Sequence, residues 1–148
     1  MTARERFATA HVARLATVGP DGPHLVPVVF ALADDAIYHA VDHKPKRTAA
    51  LKRLANLEAD PRACLLADAY DEDWERLWWA RADGTARILE PGCDEARGAV
   101  RLLVARYPQY RTRPPTGPVV ALDVQRWSEW SADAFGPGGT PGACTAGM

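Results

Sequence analysis

Cysteine is scarce in this chain of 148 residues. Cys64, Cys93 and Cys144 are odd in number and share no C-x-x-C spacing, so neither a disulfide framework nor a structural zinc site is expected. No window comes near the ~20 consecutive apolar residues that a membrane-crossing helix needs. Arg4, Glu5 and Arg6 interrupt any apolar run near the first residue, which argues against a signal peptide and for a cytoplasmic protein. An excess of one charge is also missing. The net charge is −1, so a general nucleic-acid-binding surface is not expected and any basic site must be local. No H-E-x-x-H or G-x-S-x-G motif occurs, and Gly136-Pro-Gly-Gly is not followed by a helical pattern, so it is no phosphate loop. His39 and His43 are four apart but lie on a strand-to-loop passage, which does not align them as a helix would. No metal site is expected.

What is present reads as one domain. Apolar residues make up 47% of the chain, enough for a core without covalent staples. The domain is expected to cover residues 1–135, with a Gly/Pro-rich tail of no fixed structure over 136–148. A short helix is expected in the first ten residues. Strands follow over 11–18, 24–32 and 36–41, separated by Gly19-Pro-Asp-Gly22 and Ala33-Asp-Asp35, and read as an antiparallel meander. Ala50, Leu51, Leu54 and Leu57 recur at helical spacing from Pro45 to about Glu58. A strand at 63–69 comes next, then a hairpin of 74–81 and 85–89 turning at Asp83-Gly84. A helix over 94–107, an extended proline-rich loop over 108–118 and a last strand over 119–127 complete the domain. Val120, Leu122 and Val124 share one face of that strand. Six or seven short strands with two or three helices argue for a mainly β fold, an antiparallel barrel with attached helices.

The most informative stretch is Asp42-His-Lys-Pro-Lys-Arg47. The only lysines are Lys44, Lys46 and Lys52, and two of them fall here with Arg47 at the start of a helix. Positive charge at that end opposes the macrodipole, so the cluster makes more sense holding a phosphate or carboxylates than as a solvated basic turn. The five tryptophans are too many for a small barrel interior. Some are expected at a dimer interface or against a planar ligand, although ordinary core packing stays open for each. No side-chain acid, base or nucleophile constellation stands out, so any enzyme chemistry must come from a cofactor.

Several motifs together resemble the pyridoxamine-phosphate-oxidase-like split β-barrel superfamily. They are Val12-Ala-Arg-Leu-Ala-Thr-Val18, Gly19-Pro-Asp-Gly-Pro-His-Leu-Val-Pro-Val-Val-Phe30, His43-Lys-Pro-Lys-Arg47, Leu54-Ala-Asn-Leu-Glu-Ala-Asp-Pro-Arg-Ala-Cys-Leu-Leu66 and Leu77-Trp-Trp-Ala-Arg-Ala-Asp-Gly-Thr-Ala-Arg87. Within the superfamily the pattern is most similar to the branch that uses the deazaflavin coenzyme F420. That resemblance implies a homodimer with cofactor at the subunit interface and hydride transfer to a small planar organic acceptor. Carried over by motif, Lys44, Lys46 and Arg47 would bind the cofactor phosphate. Pro27, Val28 and Val29 would lie near the ring with Ala40 and Val41, Asn56 would supply a polar group, and Trp78 or Trp79 would reach the partner's site. FMN in the same fold, or a non-catalytic flavin- or haem-binding role, remains the alternative.

Overall fold

A computed structural model of the chain describes residues 1–41 and 48–132; for residues 48–51 it describes the backbone only. The described elements are α1 (Ala3–Thr9), β1 (Ala13–Gly19), β2 (Gly22–Val28), β3 (Ala31–Ala33), β4 (Ala36–Ala40), α2 (Thr48–Ala59), β5 (Arg62–Ala69), β6 (Trp78–Leu89), α3 (Asp94–Arg106), α4 (Pro108–Thr112) and β7 (Val119–Ser131), with a 3-10 turn at Trp74–Arg76. All strands pair antiparallel in one sheet of order β2-β1-β5-β6-β7-β4-β3.

That order dictates closure. The two outermost strands, β2 and β3, are joined by Val29 and Phe30 alone. Three Cα steps reach roughly 11 Å, whereas the edges of a flat seven-stranded sheet stand about 29 Å apart, at roughly 4.8 Å per strand. The sheet must therefore curl until its edges meet. Inward-pointing residues fill the resulting barrel, among them Ala13, Leu15, Phe30, Ile37, Leu65, Ala80, Ala82, Val120 and Leu122. Phe7 of α1 closes the packing and meets Phe30 and Trp127 edge-on, with ring centroids 5.7 and 5.6 Å away. α1 begins at a capping box in which the Thr2 hydroxyl accepts from the Glu5 amide and the Glu5 carboxylate accepts from the Thr2 amide.

Three sequence expectations change. The first three strands are not a meander. They form two hairpins, β1–β2 and β3–β4, which the closing sheet places at opposite ends of the strand order. Asp83-Gly84 is not a hairpin turn, because β6 runs unbroken through it and the pairing with β7 shifts register there. A Cβ on Gly84 would lie 2.1 Å from the Asp123 carbonyl oxygen, so the glycine serves a close strand approach and not a reversal. The bulge skips Gln125 and so inverts the phase of β7. Val120 and Leu122 point inward before it, and Trp127 does so after it. Finally, the loop expected over 108–118 opens with α4, whose Pro108 stands at the start of the helix, where a missing N–H costs nothing.

The outer surface of the sheet has two unlike halves. α3 covers one, packing Ala96 and Ala99 against Ala36, Tyr38, Leu89, Val119 and Ala121. Nothing in the described chain covers the other, where Leu66, Trp79, Arg81 and Trp130 face outward. No described helix is long and apolar enough to cross a membrane.

Candidate functional site

The crossing from β2 to β3 is held by two residues at the C-terminal end of α3. The Tyr107 hydroxyl accepts from the Phe30 amide at 3.1 Å. Its single proton is shared between the carbonyls of His11 and Phe30, both at 2.9 Å. Arg106 donates to the carbonyls of Phe30 at 3.1 Å, Ala8 at 3.3 Å and Ala10, and its guanidinium lies 4.7 Å from the centre of the Phe30 ring. These bonds satisfy backbone groups at the β2–β3 crossing and in the passage from α1 to β1.

A cavity of about 490 Å³ opens beside this clamp, lined by His11, Val29, Arg106, Tyr107, Pro108, Gln109 and Tyr110. Its volume is within the usual range for small-molecule sites. Tyr110 meets Tyr107 edge-on at 6.1 Å. The walls are therefore aromatic and aliphatic, and His11 and Gln109 supply polar groups. A planar ring fits this lining by stacking on a tyrosine or Pro108 face and hydrogen bonding at its rim. Among the described residues no group of three or more His, Cys, Asp or Glu could hold a metal ion.

The expected site residues distribute as follows. Val29 lines the cavity, and Ala40 packs into the same cluster with Ala31, Leu103, Tyr107 and Tyr110. Val41 is buried beside it, its amide donating to the Pro118 carbonyl at 3.0 Å. Pro27 is exposed on β2, whereas the Val28 side chain lies in the barrel core. Asn56 is buried on α2 and donates to the Thr17 hydroxyl at 3.1 Å. Gly19 makes room for it, since a Cβ there would lie 2.3 Å from the Asn56 amide oxygen. Trp78 packs on the barrel core under the Arg6 guanidinium, 4.9 Å from the ring centre. Trp79 faces outward and pairs across the strands with Trp130. Lys44, Lys46 and Arg47 lie outside the described residues.

Near Asn56 the barrel interior is polar. Thr17, His39, Arg53 and Asn56 are all buried. Burial, reinforced by the Arg53 charge, pushes the His39 imidazole down to about 3, so it is neutral at physiological pH. Its Nε2 has no hydrogen-bond partner among the described residues.

Sequence reasoning missed the cavity's aromatic wall. Tyr107 and Tyr110 are three apart around Pro108, a spacing that could have suggested paired rings. Nothing local, however, signals that they would meet Val29 and His11.

A model of the pyridoxamine 5'-phosphate oxidase family matches residues 2–131. The chain belongs to that family. No curated protein matches it. Among solved structures, it is similar to the conserved hypothetical protein Rv2991 of Mycobacterium tuberculosis, at 24% identity and a TM-score of 0.73, over 99% of this chain and 95% of that one. A FAD-binding protein of Mesorhizobium loti matches at 15% identity and a TM-score of 0.68, over 86% and 90% of the two chains. The haem storage protein HutZ of Vibrio cholerae matches at 15% identity and a TM-score of 0.66, again over 86% and 90%. At these identities the split-barrel fold is what is shared. Proteins of this fold are described as FAD-binding and as haem-storing.

Proposed function

We propose that this protein is a homodimeric oxidoreductase that uses coenzyme F420 to transfer a hydride to a small planar organic acceptor. The observation that carries this reading is the aromatic cavity beside Val29 and Ala40, two residues that the family motifs associate with the cofactor ring. Among the described residues no paired acid, base or nucleophile lines that cavity, and in this reading a bound cofactor supplies the reactive hydride.

In this reading Lys44, Lys46 and Arg47 hold the cofactor phosphate, and Pro27, Val28, Val29, Ala40 and Val41 form the strand ends beside the ring. The Arg106–Tyr107 clamp fixes the Val29–Phe30 crossing, and with it the distance from the ring-side wall to the stacked acceptor. Tyr107, Tyr110 and Pro108 exclude water from one face of the acceptor. His11 and Gln109 are within the same lining to orient its polar rim. Trp79 and Trp130, with Leu66, Tyr70 and Leu77, form an open apolar groove of about 410 Å³. Around them stand the ion pairs Arg14–Asp68 at 2.6 Å and Arg81–Asp83 at 3.0 Å. An aromatic centre inside a charged rim is the anatomy of a protein interface, and a second copy of the chain is the occupant proposed here.

FMN, FAD or haem binding in the same frame is the second reading, favoured by similar folds described as FAD-binding and haem-storing. A fluorescence titration with F420 and, separately, FMN tests both. Micromolar F420 binding, with FMN much weaker, is the expected result. Lys44→Ala with Lys46→Ala should lower the affinity at least about tenfold, since each charge-assisted contact contributes ~1.5–3 kcal/mol. Preference for FMN would move the protein to the second reading. Binding of neither would remove the oxidoreductase reading.

A further inference from the structure

The clamp beside the aromatic cavity also decides which of its walls can exchange a proton with a ligand. The Tyr107 hydroxyl holds its one proton between the carbonyls of His11 and Phe30, both at 2.9 Å. Arg106 is engaged by the carbonyls of Phe30, Ala8 and Ala10, and a guanidinium stays charged at any ordinary pH. Gln109 carries a carboxamide, which offers hydrogen bonds but keeps its hydrogens. Val29 and Pro108 have no polar side-chain atom. His11 and Tyr110 complete the described lining. Of these two side-chain types, an imidazolium gives up its proton near neutrality and a phenol only at about pH 10.

The backbone that carries the His11 imidazole is held in place. Its own carbonyl accepts from Tyr107, the Ala10 carbonyl before it accepts from Arg106, and β1 begins just beyond it at Ala13. The same two side chains fix the Val29–Phe30 crossing, so His11 and Val29 keep a constant relation across the cavity they both line. His11 is also exposed to solvent, so a proton given up inside the cavity is replaced from water.

We infer that His11 is the proton donor to the acceptor, and that the acceptor is a planar α,β-unsaturated carbonyl compound. The inference rests on the oxidoreductase reading above. A hydride added to the β-carbon of a C=C–C=O system forms a C–H bond there, and the displaced π electrons come to rest as a pair on the carbonyl oxygen. His11 gives that oxygen a proton, an O–H bond forming as the imidazolium N–H bond breaks. The acceptor has then gained one hydride and one proton, a two-electron reduction to the enol. The imidazole is left neutral until water returns a proton. A histidine at the rim serves an acceptor whose conjugation ends in an oxygen, which is what selects this substrate class.

The test uses the full chain and its His11→Gln and Tyr110→Phe variants. The first readout needs no cofactor. Para-nitrophenol is a planar ring whose phenolate, but not its phenol, absorbs in the visible, and it imitates the oxyanion that the step creates. Wild-type protein should bind it as the phenolate in mildly acidic buffer. His11→Gln keeps a hydrogen-bond donor without the charge and should bind it about tenfold more weakly, whereas Tyr110→Phe should still bind the phenolate. The second readout is reduction of cyclohexenone by reduced F420, in which His11→Gln should lower kcat about a hundredfold with KM little changed. Nitrophenol that does not bind, that binds without ionising, or that depends on Tyr110 and not on His11 overturns the assignment. An unchanged kcat in His11→Gln overturns the proton transfer, and reduced F420 that binds but is not oxidised by the enone overturns the acceptor class. A His11-dependent phenolate signal in a protein that does not bind F420 would support the proton site and remove only the cofactor reading.

Discussion

The two halves of the sheet's outer surface carry different side chains, and within the described chain only one of them is covered. Under α3 the sheet presents Ala36 and Ala121, and the helix answers with Ala96 and Ala99, so the two backbones approach closely. On the uncovered half the residues are large: Leu66 and Trp130 flank Trp79, with Arg14, Arg81 and Arg126 near the rim. Small residues belong where a helix of the same chain is seated. Large aromatics in a charged rim suit a partner that brings its own side chains. The bulge at Gly84 separates the halves by reversing the alternation of β7, so that Asp123 faces α3 and Trp130 faces the open groove.

The sharpest way to break this contrast is to charge the open half. Trp79→Asp with Trp130→Asp should weaken self-association at least about a hundredfold, as expected for central aromatic anchors, with little change in monomer melting. Sedimentation at several concentrations measures it, and an unchanged dimer would mean that the open half is not the interface. Gly84→Ala comes next. Its methyl group would meet the Asp123 carbonyl, and the required shift should cost about 3 kcal/mol in urea unfolding. A neutral substitution would show that the boundary between the halves tolerates a Cβ.

Tyr107→Phe is a smaller change. It removes the hydroxyl that serves Phe30 and His11, and should cost about 1–3 kcal/mol. Urea unfolding reads that loss, and an unchanged midpoint would show that the clamp does not hold the β2–β3 crossing. The last expected effect is spread over a range of pH. Folded His39 takes up a proton only near about pH 3, whereas an unfolded histidine does so near 6.5. The unfolded state therefore binds more protons between those values, and stability falls as pH drops from 6.5 toward 3. The slope approaches about 1.4 kcal/mol per pH unit. Urea midpoints across that range should flatten in His39→Leu, and equal slopes in both proteins would contradict neutral burial of His39.

Much of the fold was legible because its signals are local. Turn residues at 19–22 and 33–35, alternation in β7 and the helical spacing of Leu54 and Leu57 gave the element types, and the run of short strands gave the antiparallel barrel. Pairing was less accessible. Asp-Gly serves a tight turn and also a close strand approach, and only the nearness of the Asp123 carbonyl to Gly84 decides between them. Four prolines hid α4, although Pro108 is well suited to a helix start. At the site, Val29 and Ala40 came from motif resemblance and do share a cluster. His11, Tyr107 and Tyr110 did not, because they come from segments that meet only when β2 and β3 close the barrel.

The central claim is that an interface between two copies holds a ring cofactor. Sedimentation of the protein with F420, followed at the visible absorbance of the cofactor, tests it most directly. The account predicts one boundary carrying two chains and two cofactors, lost in the Trp79→Asp/Trp130→Asp variant. Cofactor that stays behind, or that travels with a single chain, would contradict it.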